Sequence, residues 1–105
     1  MAKFVLVYRG SPTYQGSPNA MEAWERWFQE LGGQLVDRGN PVFDRSLLGA
    51  GAADTVLGGY SVIEADDTAA ATTLAQSCPA LANGGAVEVG VLTELNVGTQ
   101  RVAGR

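Results

Sequence analysis

The sequence predicts an α+β domain in which an antiparallel sheet carries two helices on one of its faces. Three observations support this prediction. The chain opens with a segment that is apolar on both faces of an extended strand, a long amphipathic helix follows, and a strand–helix–strand unit fills the second half. The predicted order of elements is β-α-β-β-α-β.

The first strand and the first helix have the clearest patterns. Residues 4–9 alternate apolar side chains on both faces, which is typical of a strand buried on both sides. Ser17 and Pro18 predict a helix start, since a hydroxyl can cap the helix and proline suits its first position. The spacing predicts a helix over 18–37, loosened at Gly32-Gly33. Its apolar stripe consists of Trp24, Phe28, Leu31 and Leu35.

The second half repeats the strand and helix pattern. We expect the second strand over 42–48, a hairpin loop over 49–54, the third strand over 56–65 and the fourth over 86–92. Between the last two, Asp66, Asp67 and Thr68 are candidate caps for the second helix. The apolar face of that helix consists of Ala71, Leu74, Ala75 and Cys78.

Two such halves in one small sheet give a ferredoxin-like βαββαβ sandwich, an antiparallel sheet with two helices on one face. The other face of the sheet would then be uncovered. Its apolar side chains have to meet water or a second subunit, so the sequence predicts a homodimer that buries this face.

Length and composition narrow the class of protein. The 105 residues suffice for one domain, which we place at 1–95, followed by a Gly-rich, flexible tail at 96–105. The net charge is −4 and the seven basic residues are scattered, so nucleic acid is not an expected partner. The single cysteine excludes an intrachain disulfide, and the first apolar run is too short for a signal peptide or a membrane span. We therefore expect a cytoplasmic protein with no membrane partner.

Several segments resemble one protein family. They read K-F-V-L-V-Y-R at 3–9, L-G-G-Y-S-V-I-E-A-D-D-T at 57–68 and L-A-Q-S-C-P-A-L-A-N-G-G-A-V-E-V at 74–89, together with the tryptophan-containing helix between the first two. In this order they resemble the YCII-related family, also called DGPF-domain proteins, over about residues 3–92. The resemblance implies a dimeric α+β barrel with a cleft between sheets and helices.

Members of that family are mostly of unknown function, and some are suspected enzymes with a His-Asp pair in the cleft. This chain has no histidine and no Asp-Gly-Pro-Phe run, so that pair cannot be carried over. It looks closer to a histidine-free branch. Any catalytic base would then be a carboxylate or a lysine with a lowered pKa, and the only lysine is Lys3, which we expect to be solvated. The weak candidates are Glu88, which alternates with valines and faces the opposite side of its strand, and Glu64 near another strand end.

Five further residues are candidates for binding a ligand. Arg9 could clamp an anion and Tyr8 stands beside it; Trp27 could form part of an aromatic pocket; Asp37 and Asn40 flank a turn. Each has an ordinary alternative: core packing for Tyr8 and Trp27, a surface ion pair for Arg9, and turn formation for the other two. No spaced cluster of ligands predicts a metal, and no motif predicts a cofactor.

Three functions fit these observations. The first is a small organic molecule bound in a cleft of the dimer, without turnover. The second is a cofactor-independent enzyme, such as an isomerase, a lyase or a monooxygenase-like protein, with a carboxylate base. The third is a structural or regulatory dimer module.

Overall fold

The computed structural model describes residues 1–14, 16–51 and 54–95. Four strands and two helices are present in the described chain: β1 (Ala2–Gly10), α1 (Pro18–Leu31), β2 (Leu35–Asp37), β3 (Val56–Ala65), α2 (Thr68–Ala75) and β4 (Ala86–Leu92). The strands form one antiparallel sheet in the order β2-β3-β1-β4. The α+β class is thus confirmed, and the topology is compatible with a ferredoxin-like fold. The predicted flexible tail at 96–105 lies outside the described residues.

The core lies between the sheet and the two helices. Phe4 and Leu6 of the central strand β1 are almost wholly buried, as is Ile63 of β3. From the helix layer, α1 contributes Trp27 and Leu31, and α2 contributes Ala71 and Ala75. Both helices therefore pack on the same face of the sheet. The small alanines let the short α2 approach the sheet closely.

Both helix starts are capped as the sequence predicts. The Ser17 hydroxyl oxygen accepts a hydrogen bond from the Ala20 amide at 3.1 Å, with Pro18 at the first helical position. A carboxylate oxygen of Asp67 accepts one from the Ala70 amide at 2.8 Å. Each cap satisfies an amide that has no partner within its own helix.

The first helix is shorter than predicted. It ends at Leu31, where Gly32 adopts φ +55° and donates its amide to the Phe28 carbonyl. A positive φ of this kind favours glycine and stops the helix. Leu35 continues the apolar stripe in sequence but lies in β2, where it pairs with Ile63.

The predicted second strand at 42–48 is wrong, because β2 lies earlier, at Leu35–Asp37. After it, Pro41 forms one bridge to Gly59, and the Val42 amide donates to the Gly58 carbonyl at 3.0 Å. The following residues leave the sheet. Phe43, Leu47 and Leu48 are 67%, 71% and 90% exposed. Residues 42–51 are therefore irregular where a strand was predicted, and the predicted hairpin loop at 49–54 lies partly outside the described residues.

The second face of the sheet, called the open face below, is covered by neither helix. Alternation along β1 places Lys3, Val5, Val7 and Arg9 there, and the register adds their partners on the neighbouring strands. Those partners are Tyr60, Val62 and Glu64 of β3, Glu88 and Gly90 of β4, and Asp37 of β2. Its centre is thus apolar and its margins carry charges.

Within the described residues, no helix combines the length and the apolar character needed to cross a membrane.

Candidate functional site

A groove opens on the helix side of the molecule, between α1 and the segment that leads from α2 towards β4. Its volume is about 500 Å³. Trp24, Arg26, Trp27 and Glu30 line it from α1, and residues 76–79 line the opposite wall. We call this cavity the helix groove.

Local sequence explains why the groove is there. On α1, Ala20 and Ala23 line it beside the tryptophans, and their small side chains leave space at the helix surface. On the other wall, α2 ends at Ala75 and Pro79 begins a short 3-10 turn. Proline cannot continue a regular helix, so the chain leaves the helical path, and the 3-10 turn that follows packs against α1.

Trp24 and Trp27 form the floor of the helix groove, and Tyr8 and Phe28 pack against them. The ring of Tyr8 meets that of Trp24 edge to face, with centroids 4.6 Å apart, and Trp24 meets Trp27 in the same way at 5.8 Å. The ring centroid of Phe28 lies 5.5 Å from that of Trp27. Such contacts contribute about 0.5–1.5 kcal/mol each beyond the area they bury. Trp27 is buried while Trp24 is half-buried, so the floor is rigid and has one partly open indole.

A hydrogen bond joins two residues that line the groove from opposite sides. The indole N–H of Trp27 donates to the Ser77 hydroxyl oxygen at 3.1 Å, and that hydroxyl donates to the Leu74 carbonyl at 3.3 Å. The position of Trp27 relative to the end of α2 is therefore fixed by a directional contact as well as by packing.

Tyr8 lies under the floor in a buried hydrogen-bond chain. Its hydroxyl donates to the Ser61 hydroxyl oxygen at 2.8 Å, and Ser61 donates to the Arg38 carbonyl at 2.6 Å. Burial raises the pKa of Tyr8 well above its ordinary range, a rise that the bond to Ser61 only partly offsets. At neutral pH Tyr8 is a protonated, structural donor.

Cys78 is a free thiol that lines the groove from the far wall but is itself buried. Burial raises its pKa to about 12. Since the thiolate is the nucleophilic form, this thiol is weakly reactive at neutral pH.

Charged side chains stand at the groove and beside the floor. Arg26 and Glu30 line the groove one helical turn apart. Arg38 lies over the ring of Phe28, 4.7 Å from its centroid, and forms an ion pair with Glu25. In the part of the chain that the structure describes, this is the only ion pair, and no three metal-ligating side chains cluster together.

The structure separates the candidate site residues of the sequence into two groups. Tyr8 and Trp27 meet on the helix side, with ring centroids 6.1 Å apart. Arg9, Glu64, Glu88 and Asp37 belong to the open face, on the other side of the sheet. Asn40 lies in the turn whose backbone passes close to Gly59.

Two of the open-face residues are held by local contacts. The Arg9 guanidinium donates to the Thr55 hydroxyl oxygen at 3.1 Å and to the Thr55 carbonyl at 2.8 Å. Asp37 accepts from the Gly39 amide at 2.9 Å, which is the turn role that its residue type suggests. Glu88 is exposed on the edge strand.

Sequence reasoning missed the charged, amide and hydroxyl side chains of the groove, which belong to four residues. Arg26 and Glu30 sit on the polar side of α1 and look like ordinary solvated residues. Gln76 and Ser77 lie in the turn after α2, which no periodic pattern in the sequence predicts. The one usable signal is Pro79, which ends the helical segment just after them and brings that turn towards α1.

Comparison of the chain with models of protein families, with curated proteins and with solved structures found no match. The resemblance to the YCII-related family rests on the residues quoted for it above.

Proposed function

We propose that this chain binds a small organic molecule in the helix groove. One observation carries the proposal: a groove of about 500 Å³ is floored by two indoles and bordered by a few polar side chains. Small-molecule sites are typically concave, about 300–1,000 Å³ in volume, and mostly apolar with a small number of orienting polar groups.

The floor favours a ligand with a flat apolar ring. Trp24 is half-buried in the groove, so part of its indole is available to a ligand, while Ala20, Ala23 and Pro79 supply low apolar walls. The edge contacts with Tyr8 and Trp27 already fix Trp24, which reduces the entropy lost when a ligand binds.

The two tryptophans give a direct test. They are the only ones in the chain, so a ¹⁵N-labelled sample has two indole N–H signals, and both residues line the groove. Titration with 2-(1-naphthyl)ethanol, a neutral ring probe, is expected to shift both signals in a saturable way. Trp24→Leu should weaken the response of the remaining signal, whereas Met21→Leu, at an exposed position on α1, should not. Signals that stay in place up to millimolar probe contradict the proposal.

The wider assignment is part of the same proposal. The chain is a member of the YCII-related family, from a histidine-free branch, and acts in the cytoplasm as a homodimer. Support for the dimer comes from the open face, where Val5, Val7 and Val62 form a half-buried apolar centre that neither α1 nor α2 covers. Pairing two such faces would give a dimeric α+β barrel. Neither nucleic acid nor a membrane has a part in this proposal.

A second candidate function is a cofactor-independent enzyme whose chemistry lies on the open face. The observation that favours it is the register of β1 and β4, in which Glu88 lies opposite Val7, two positions from Arg9. Long side chains on such diagonal positions can reach one another and one substrate. Glu88 would be the base and Arg9 the anion clamp. Unchanged turnover in Glu88→Gln, once a substrate is found, would exclude this role.

A further inference from the structure

The helix groove carries two opposite charges that are not used elsewhere. Arg26 and Glu30 both line it, and in the described chain neither side chain forms a hydrogen bond or an ion pair. They are four positions apart on α1, with the base nearer the helix start. This is the less favourable order for an intrahelical pair, because it opposes the helix dipole. Both charges are therefore available to a ligand.

The opposite wall adds a neutral polar group. Gln76 lines the groove, and its side-chain amide has no hydrogen-bond partner among the described residues. Ser77 beside it is already engaged by Trp27 and Leu74. The border of the groove thus presents one cation, one anion and one amide, with no net charge.

The geometry points to a zwitterionic ligand, an aromatic α-amino acid or a close relative, whose ring lies on Trp24. Its carboxylate would bind Arg26 and its ammonium group Glu30. This inference rests on the proposed function, since it names the class of molecule that the groove takes.

Arg26 and Glu30 are close enough to act on one ligand together, so the groove should distinguish ligands by their charge. Side chains four positions apart on a helix have Cβ atoms about 5–6 Å apart, a separation that an amino-acid head group can bridge. A ligand with only a carboxylate would be attracted by Arg26 but repelled by Glu30. A ligand with only an ammonium group would be attracted by Glu30 but repelled by Arg26. A zwitterion gains both contacts. Exposed charge pairs are individually weak, so we expect an advantage of about fivefold in Kd over singly charged ligands.

Four probes that share one ring test the inference. They are 1-naphthylalanine (zwitterion), 1-naphthylacetate (anion), 2-(1-naphthyl)ethylamine (cation) and 2-(1-naphthyl)ethanol (neutral), each titrated against the two indole N–H signals. The zwitterion is expected to bind most tightly.

Variants that each remove one of the two charges test which charge each probe uses. Arg26→Gln should weaken the zwitterion and the anion while leaving the neutral probe unchanged, and Glu30→Gln should weaken the zwitterion and the cation. The controls are Lys3→Gln, on the open face, and Glu22→Gln, on α1 outside the groove; both should bind like the original chain.

The outcomes separate this inference from the proposed function. If no probe moves either indole signal, the groove is not a ligand site and both fail. If all four probes bind equally, or if the zwitterion binds both groove variants as it binds the original chain, ring binding stands and the zwitterion inference is overturned.

Discussion

At the scale of single residues, Tyr8 links three parts of the structure through its hydroxyl and its ring. It donates to Ser61, which donates to the carbonyl of Arg38, while its ring touches Trp24. We expect Tyr8→Phe to lower the free energy of unfolding by about 1 kcal/mol, the usual net contribution of a buried hydrogen bond whose partner keeps its other contact. Urea unfolding would measure the change.

The matched control for Tyr8 is Tyr14→Phe, which removes the same oxygen from an exposed ring. Its free energy of unfolding should equal that of the original chain. Equal values for all three proteins would mean that the buried hydroxyl chain does not stabilise the fold.

Cys78 makes stability depend on pH in the alkaline range. Its pKa is raised to about 12 in the folded protein, against about 8.5 for an unfolded thiol. The folded state therefore holds its proton after the unfolded state has lost it. Stability should be constant below about pH 8 and then fall by at most about 1.4 kcal/mol per pH unit between pH 9 and 11.

The measurement for Cys78 is the urea midpoint at pH 7.5, 9 and 10, with Cys78→Ala as the comparison. The alanine variant should be less sensitive to pH over this interval. Parallel pH profiles for the two proteins would show that the thiol ionises equally well in the folded and unfolded states. Above pH 10, Tyr8 should lower the stability of both proteins in the same direction, because its pKa is raised as well.

Tyr8 and Arg9 show how much of the candidate site could be predicted from the sequence alone. Tyr8 and Arg9 look like one site in the sequence, but neighbours in a strand point to opposite faces. The period of two was enough to separate them. By contrast, the contact between Trp27 and Ser77 joins residues on separate elements, and no local pattern contains it.

At the scale of elements, the turn after β2 holds that strand against β3. Gly39 has φ +74°, and a Cβ atom built there would overlap the backbone carbonyl oxygen of Tyr60. We expect Gly39→Ala to lower the free energy of unfolding by at least about 2 kcal/mol, since both the conformation and the space exclude a side chain. Thermal or urea unfolding measures it.

Gly33→Ala is the control for Gly39, because it adds the same methyl group at a position where no atom of the described residues lies within 4 Å and where φ is not positive. Its stability should be unchanged or slightly higher. A similar small effect at both glycines would mean that the turn has room to relax.

The elements that the sequence predicts correctly are those with long or capped patterns. β1, β3, β4 and both helix starts agree with the prediction. β2 has only three residues, and Leu35 continues the spacing of α1, so periodicity assigns it to the helix. Its strand character comes from pairing with Ile63, which is a tertiary contact.

At the scale of the whole molecule, the proposed dimer depends on the open face. We expect native mass spectrometry to find twice the 10.9 kDa chain at micromolar concentration. Val62→Glu should give a monomer, because it places a charge in the apolar centre of that face. The control is Val91→Glu at an exposed position on the other side of the sheet, where the dimer should persist. A monomer from the original chain across 1–100 µM contradicts the dimer.

Because β1 lies between β3 and β4 in the sheet, its pairing depends on strands that are translated later. Lys3 pairs with Glu64 on one side and with Leu92 on the other, so β1 gains its first neighbour only when β3 has been made and its second only when β4 has. Sheets built from such distant pairings fold slowly, because long loops must close before the contacts form. Until then an emerging chain carries an apolar strand with both edges unpaired, the kind of segment that chaperones shield. The strand translated first, β1, therefore has both of its neighbours only once the strand translated last, β4, has joined the sheet.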